Sequence, residues 1–317
     1  MTPQSTAPLQ VAVLGAGTMA PGIAACFAAG GHEVALWGRS TDRAWTALER
    51  AHGMAAFLTE QGLASAGGCA ACRTRVAREL DDVAGAQLVV EAVAERVDTK
   101  RELLARVEEV VGPEAILATN TSGLKVSEIA VGLRRPGRVV AMHFWNPAHL
   151  MPLVEVGAGE ATEPAAVDRA VEVARAIGKR PVRLSSEVLG FLGTRMQQAV
   201  VREAIALLER GVASAEDIDL AVRTSFGIRF PVIGPLESAD LSGLDVIESI
   251  HRYLLPDLDR SSEPQAALTQ RVAAGALGTK AGRGFHEWTV RDAEEVVRRR
   301  DEELVRRLRL TAVGAGS

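Results

Sequence analysis

No large excess of either charge marks this chain. Its 317 residues carry 36 Lys and Arg against 40 Asp and Glu, a formal net charge of −4, and no basic block stands apart from a mixed-sign stretch near the C-terminus. Nucleic acid is therefore not an expected partner. No apolar run approaches the roughly 18 residues that span a bilayer, and no basic n-region precedes an apolar h-region. The expectation is a cytoplasmic protein with no membrane partner. Cysteine is scarce, three residues in all, which excludes a disulfide framework. Cys69 and Cys72 form a C-x-x-C, but no second pair or nearby histidine completes a zinc site, and no metal is expected. A single Tyr in an Ala- and Arg-rich composition fits the codon use of a GC-rich bacterial genome. At this length the chain can bury a large core and is expected to hold two domains.

What is present begins with Leu9–Ser40. An apolar run leads into Gly15, Gly17 and Ala20 at G-x-G-x-x-A spacing, followed by a small-residue helix and a second apolar run ending in Gly38-Arg39-Ser40. Gly15 permits a tight turn, Gly17 lets backbone N–H groups approach a pyrophosphate, and Ala20 keeps helix and strand close. The helix N-terminus supplies partial positive charge. A small-molecule partner of the dinucleotide class follows. At the end of the second strand, an NAD site usually places a carboxylate on the ribose hydroxyls. Gly38 occupies that corner instead, and a guanidinium such as Arg39, with Ser40 beside it, can bind a 2′-phosphate. That reading prefers NADP(H). A solvated Arg39 in a surface loop would leave NAD(H) open.

Apolar β-type runs recur at Val11–Leu14, Glu33–Trp37, Thr74–Ala77, Leu88–Val93, Ile116–Thr119 and Val139–Phe144, with helical stretches such as Thr41–Glu60 and Asp98–Val111 between them. This alternation predicts an α/β fold: a Rossmann-type doubly wound parallel sheet with ligands at the carboxyl ends of its strands. Leu153–Val156 and Val182–Leu184 are expected to add edge strands. After Ser185 the pattern turns helical: Phe191–Arg210, then Ala215–Thr224 with Ser214 and Asp217 as a capping box, then Ala239–Leu255 and Glu263–Leu277. Val290–Leu310, with mixed charges at i,i+4, reads as a solvated helix. The expected division is a disordered leader over 1–8, a dinucleotide domain over 9–185 and an all-helical domain over 186–317.

Of six histidines, His143 stands out, because it ends the apolar run of HFWNP where a parallel strand delivers side chains to the crevice. Ser122, in NTSGL, ends the preceding strand, so the two side chains should emerge side by side. Glu155 follows on the next short strand, and a carboxylate beside an imidazole fixes its tautomer and stabilises the imidazolium. A Ser-His-Glu set also suits acyl transfer. Ser122, however, lacks a G-x-S-x-G elbow, and the dinucleotide motif competes with that reading.

Taken together the motifs resemble the L-3-hydroxyacyl-CoA dehydrogenase family. The resemblance runs from about Val11 to Trp288 and is carried by GAGTMAPGIA, VVEAVAE with Lys100, NTSGL, MHFWNP, MPLVEV, RGVASAEDID, IGPLESADLSGLD and TKAGRGF. It implies that His143 is the acid/base, that Glu155 pairs with it and that Ser122 hydrogen-bonds substrate near the nicotinamide. The same matching puts Thr18, Met19, Glu95, Lys100, Asn120, Asn146 and Lys280 at cofactor-binding positions. It also implies a helical domain that closes on substrate and forms a homodimer. Three departures stand out: Gly38 replaces the acidic ribose-binding residue, TSS is Thr121-Ser122-Gly123, and PGFxxNR is Leu189–Arg195 with Thr194 in place of the active-site asparagine. TSG and HFWNPAH look more like relatives acting on non-CoA substrates, such as pyridine aldehydes.

The expected function is hydride transfer between NADP(H) and a 3-hydroxy/3-oxo acyl thioester or a related polar 3-hydroxy acid, with His143, Glu155, Ser122 and Thr194 at the reacting centre. An imine reductase or reductive aminase, an aldehyde or alcohol dehydrogenase on a non-CoA substrate, and a catalytically silent NADP-binding protein are the alternatives.

Overall fold

Near-continuous apolar runs become strands buried on both faces. β1 (Gln10–Leu14), β2 (Glu33–Trp37), β3 (Thr74–Ala77), β4 (Leu88–Glu91), β5 (Ile116–Thr119) and β6 (Val139–Phe144) form parallel ladders. β7 (Leu153–Ala158) joins β6 antiparallel, and β8 (Arg180–Arg183) continues parallel to β7. The strand order is β3-β2-β1-β4-β5-β6-β7-β8, which reverses between β1 and β4. That reversal places a crevice at the carboxyl ends of these strands. The structure is a computed structural model that describes residues 8–64, 70 and 73–313, the last three by backbone alone. Cys69, Cys72 and residues 1–7 of the expected leader lie outside the described residues.

Helices cover both faces. α1 (Met19–Ala29), α2 (Thr41–Glu60) and α5 (Pro164–Ala176) pack small and branched side chains such as Ala24, Ala47 and Val167 against Val13, Leu36 and Val156. α3 (Val97–Val110) and α4 (Val126–Ile129) pack Leu104, Val107 and Ile129 against Leu14, Val89 and Leu117 on the other face.

Beyond the sheet the chain is helical: α6 (Gly193–Glu209), α7 (Ala215–Thr224), α8 (Phe226–Arg229), α9 (Pro235–Ser242), α10 (Leu244–Leu254), α11 (Ala266–Ala273) and α12 (Ala293–Val313). Two compact units result, Met1–Thr194 with Arg299–Ser317 and Arg195–Arg298, so the chain divides later than the expected Ser185–Ser186 boundary. The helix expected over Ala239–Leu255 is two helices. Gly243, at φ +91°, breaks it, and only glycine adopts that backbone cheaply. The helix expected over Glu263–Leu277 is shorter and stops before Gly275, at φ +71°. The terminal helix is not simply solvated. Val305 is buried with Ala29, Leu58 and Leu150, and Arg309 donates to the Gln61 carbonyl at 3.1 Å. Its charge pattern satisfies one face while an apolar stripe docks the other.

Candidate active site

The turn after β1 is built by two glycines with opposite tasks. Gly15 has φ +135°, and a Cβ there would lie 2.5 Å from the Ala92 carbonyl oxygen, so no larger residue fits. At Gly17 a Cβ would meet no atom within 4 Å. Glycine there leaves open room for a ligand to approach the backbone. Ala20 is fully buried and Met19 packs partly on the same core. Thr18 caps α1 without a side-chain hydrogen bond, and the first turn holds no acidic residue. The leading N–H groups of α1 are therefore unserved by side chains, as an anion such as a pyrophosphate requires. These residues fit a dinucleotide.

No carboxylate stands at the end of β2. A Cβ on Gly38 would lie 3.1 Å from the Ala16 Cβ, so this corner is close-packed. Arg39 is exposed. Ser40 caps α2, its hydroxyl accepting from the Arg43 N–H at 3.4 Å.

Behind the β4 and β5 ends lies a buried polar network. Glu91, inside the apolar run LVVE, accepts from Lys100 Nζ at 2.9 and 3.1 Å, from Thr119 Oγ1 at 2.7 Å and from the Val93 N–H at 2.7 Å. Lys100 also pairs with Glu95 at 3.2 Å. Its side chain has no exposed surface, so the ammonium stands behind the crevice and acts on it through Glu95. Glu95 in turn accepts from Thr121 Oγ1 and from the Ser122 N–H and hydroxyl at 2.8 and 3.1 Å. Burial pushes the Glu95 carboxyl up, but Thr121, Lys100 and Ser122 outweigh it and hold it below the usual range. Ser122 thus faces Glu95 rather than His143, and no hydrogen bond joins Ser122 to His143 among the described residues. Asn120 accepts the Phe144 N–H at 2.8 Å, which ties β5 to β6.

The antiparallel register of β6 and β7 places His143 opposite Glu155, so both side chains leave the same face of the sheet. His143 Nδ1 lies 2.8 Å from Glu155 Oε2. The same oxygen accepts from Trp145 Nε1 at 3.0 Å, while Oε1 accepts the Leu192 and Gly193 N–H groups at 2.8 and 3.0 Å. Burial alone would raise this carboxyl. The four donors overcome it and hold the group at about 2. A carboxylate can only accept, so Nδ1 carries the proton, and the Nε2 of neutral His143 is left as an acceptor. No described hydrogen bond engages Nε2. The Phe191 ring stacks on the imidazole at 5.3 Å between centroids, and Trp145 lies at 5.6 Å. Phe191 adopts φ +48°, a left-handed conformation costly outside glycine, to bring its ring there.

Thr194 is half-buried, next to Gly193 at the start of α6. Asn146 is exposed just beyond β6. Lys280 is exposed on a short turn, Thr279–Ala281, of the second unit. Glycine turn, Glu95 network and His143–Glu155 pair therefore share the carboxyl-end rim of one unit. The roles of Glu91, Thr121, Trp145 and Phe191 were not evident from sequence. A Glu ending an apolar strand nine residues before a Lys is a readable signal for the first; the others have none, because Thr121 depends on where Glu95 reaches and Trp145 and Phe191 on which segments close on Glu155.

Family comparison matches residues 10–188 to the 3-hydroxyacyl-CoA dehydrogenase NAD binding domain and residues 190–288 to the 3-hydroxyacyl-CoA dehydrogenase C-terminal domain. The chain is similar to the 5-formyl-3-hydroxy-2-methylpyridine 4-carboxylate 5-dehydrogenase of Mesorhizobium japonicum, 34% identical over 93% of this chain and 96% of that one. Among solved structures, a 5-formyl-3-hydroxy-2-methylpyridine 4-carboxylic acid 5-dehydrogenase, described as an NAD+ dependent dismutase, superposes with TM-score 0.89 at 32% identity, covering 96% of this chain and 98% of its own. The (S)-3-hydroxybutyryl-CoA dehydrogenase of Ralstonia eutropha superposes with TM-score 0.72 at 30% identity, covering 89% and 99%.

Proposed function

The chain belongs to the 3-hydroxyacyl-CoA dehydrogenase family, and from that premise we propose that it interconverts a small polar alcohol and its carbonyl with His143 as acid/base. Membership makes it a dinucleotide-binding oxidoreductase acting on CH–OH groups. The observation that carries the assignment of His143 is its pairing with Glu155. A carboxylate held ionised by four donors keeps the imidazole in one tautomer and balances its charge when protonated. In oxidation, His143 Nε2 takes the hydroxyl proton; in reduction, the imidazolium returns it to the developing alkoxide. Phe191 and Trp145 keep water from the ring; for Ser122 to hold the substrate oxygen, its hydroxyl must turn from Glu95. The dinucleotide, when bound, accepts or delivers the hydride. Gly15, Gly17 and the N-terminus of α1 would hold its pyrophosphate, with Glu95 and Asn146 further along the rim.

The substrate class favoured is a polar hydroxy compound without a CoA thioester. Support comes from the short Thr194 side chain, next to Gly193 at the start of α6, and from the coverage of the pyridine carboxylate dehydrogenase structure, 96% of this chain and 98% of its own. A 3-hydroxyacyl thioester is the second reading, supported by the family itself. NADP(H) is the preferred cofactor, because no carboxylate occupies Gly38–Ser40 and Arg39 is free to face a 2′-phosphate. The second unit exposes Val232, Leu236, Leu241 and Tyr253 by 84, 81, 76 and 69%. A second copy of the chain covering this apolar surface makes the homodimer, and sedimentation at micromolar concentration tests it.

The test of the function is a dinucleotide-reduction and oxidation screen over pyridine alcohols and aldehydes, free 3-hydroxy and 3-oxo acids, and acetoacetyl-CoA. Turnover is expected on a non-thioester, falling by about 10²–10⁴-fold in His143→Ala while cofactor binding survives. Near-full activity of His143→Ala would overturn the assignment.

A further inference from the structure

Glu155 Oε2 serves two donors, His143 Nδ1 at 2.8 Å and Trp145 Nε1 at 3.0 Å. The donors stand two positions apart along the chain, one on β6 and one just past its end, and both side chains converge on one buried oxygen. The Trp145 ring gets there because position 193 is glycine. A Cβ on Gly193 would stand 2.4 Å from Cζ2 of the indole and 3.2 Å from Cε2 and Cη2. The Gly193 N–H meanwhile donates to the other oxygen of Glu155. Absence of one side chain and presence of another are thus coupled around a single carboxylate.

We propose that Trp145 is a positioning residue whose indole N–H shares Glu155 Oε2 with His143 and thereby lowers the proton affinity of the imidazole, and that Gly193 is the gap which admits it. The proposal rests on the assignment of His143 as acid/base. A donor on Oε2 withdraws negative charge from the oxygen that stabilises the imidazolium, so the imidazole gives up its proton more readily. Glu155, from β7, is the titratable group against the imidazole among the described contacts; the faces contributed by the segments after β6 and before α6 are Trp145 and Phe191. Neither of those carries charge, so the number of donors on Glu155 is the adjustable quantity. The same hydrogen bond fixes the side-chain torsion of Glu155, and hence the direction in which His143 Nε2 points.

The experiment is nuclear magnetic resonance of the NADPH-loaded protein labelled at histidine and tryptophan, with the His143 signal identified by its loss in His143→Gln. Trp145→Phe keeps an aromatic ring and removes the donor. It is expected to raise the His143 pKa by about 0.5–1 unit, a three- to tenfold gain in proton affinity. Gly193→Ala pushes a methyl group into the indole and is expected to shift the pKa in the same direction. In the Trp145→Phe background Gly193→Ala should then do nothing further, since the smaller ring leaves the gap open. In the unmodified protein, the Trp145 indole N–H resonance should move with the His143 titration, a readout independent of any variant's folding. An indole resonance indifferent to that titration, or a folded Trp145→Phe with unchanged His143 pKa, overturns the proposal. Full activity of His143→Ala would instead overturn the acid/base assignment while leaving the shared-oxygen titration intact, so the two failures are distinguishable.

Discussion

Lys100 reaches from α3 to Glu91 at the end of β4, 2.9 Å away, and neither side chain has any exposed surface. The pair is the deepest part of a relay. Glu91 fixes Thr119, and Lys100 holds Glu95, which holds Thr121 and Ser122. A buried ion pair of this kind adds little net stability compared with apolar side chains of the same volume, but it is expensive to leave half-made.

Lys100→Met should therefore destabilise the protein by about 3–5 kcal/mol, since it strands a buried carboxylate. The double variant Glu91→Gln with Lys100→Met should cost clearly less than the sum of the two single changes. Urea unfolding of the three variants checks this, and additive losses would show that the pair is not coupled.

Stability against acid should fall in two stages. His149, desolvated by burial, titrates at about 4 rather than 6.5. Its folded pKa lies below the unfolded one, so the unfolded chain binds the proton first and stability drops as pH falls from about 6.5 to 4. Glu155 titrates at about 2 rather than 4.5, and its contribution is present above 4.5 and lost as pH falls toward 2. Thermal melts across this range should show the upper stage shrink in His149→Phe, with His32, also lowered by burial, supplying the remainder. The lower stage should shrink in Glu155→Gln, with Glu95 supplying part of the remainder.

Cofactor choice should follow the end of β2. A charge-assisted contact from Arg39 to a 2′-phosphate is worth roughly 1.5–3 kcal/mol, on the order of 10- to 100-fold in kcat/KM for NADPH over NADH. Arg39→Ala should erase that margin. Gly38→Asp added to it should reverse the preference, at some cost in stability because the new Cβ presses on Ala16. Equal use of both cofactors by the unmodified protein would refute the reading.

Thr194→Asn should raise activity on acetoacetyl-CoA by about fivefold, the gain that one hydrogen bond of about 1 kcal/mol supplies. The carboxamide reaches further than the threonine hydroxyl and presents its donor and its acceptor on separate atoms. Steady-state rates of the two proteins on that substrate decide it. Efficient turnover by the unmodified protein with no gain in the variant would return the substrate to the thioester class.

Local pattern carried far into the fold. Glu33–Trp37, Thr74–Ala77, Ile116–Thr119 and Val139–Phe144 are strands at the limits their apolar runs imply, and Thr41–Glu60 and Ala215–Thr224 are helices at the limits their caps imply. Pattern failed at Gly243, where a glycine inside helical periodicity takes a backbone no other residue holds cheaply. It failed again at Val305, where a mixed-charge helix conceals an apolar stripe that docks beside Leu58 and Leu150. Ser122 emerges at the strand end the sequence assigns it, yet its hydroxyl turns to Glu95, because an ionised carboxylate is the stronger acceptor within reach.

Spacings of a few residues are enough to define the glycine turn, the alternation of strands with helices and the residue types at the rim, so these are legible along the chain. That His143 meets Glu155 was inferable from successive strand ends. That Trp145, Leu192 and Gly193 also close on Glu155, and that Lys100 is sealed between Glu91 and Glu95, only the tertiary structure decided. Hydrogen bonds and ion pairs between segments distant in sequence depend on side-chain direction and burial, which no periodicity encodes.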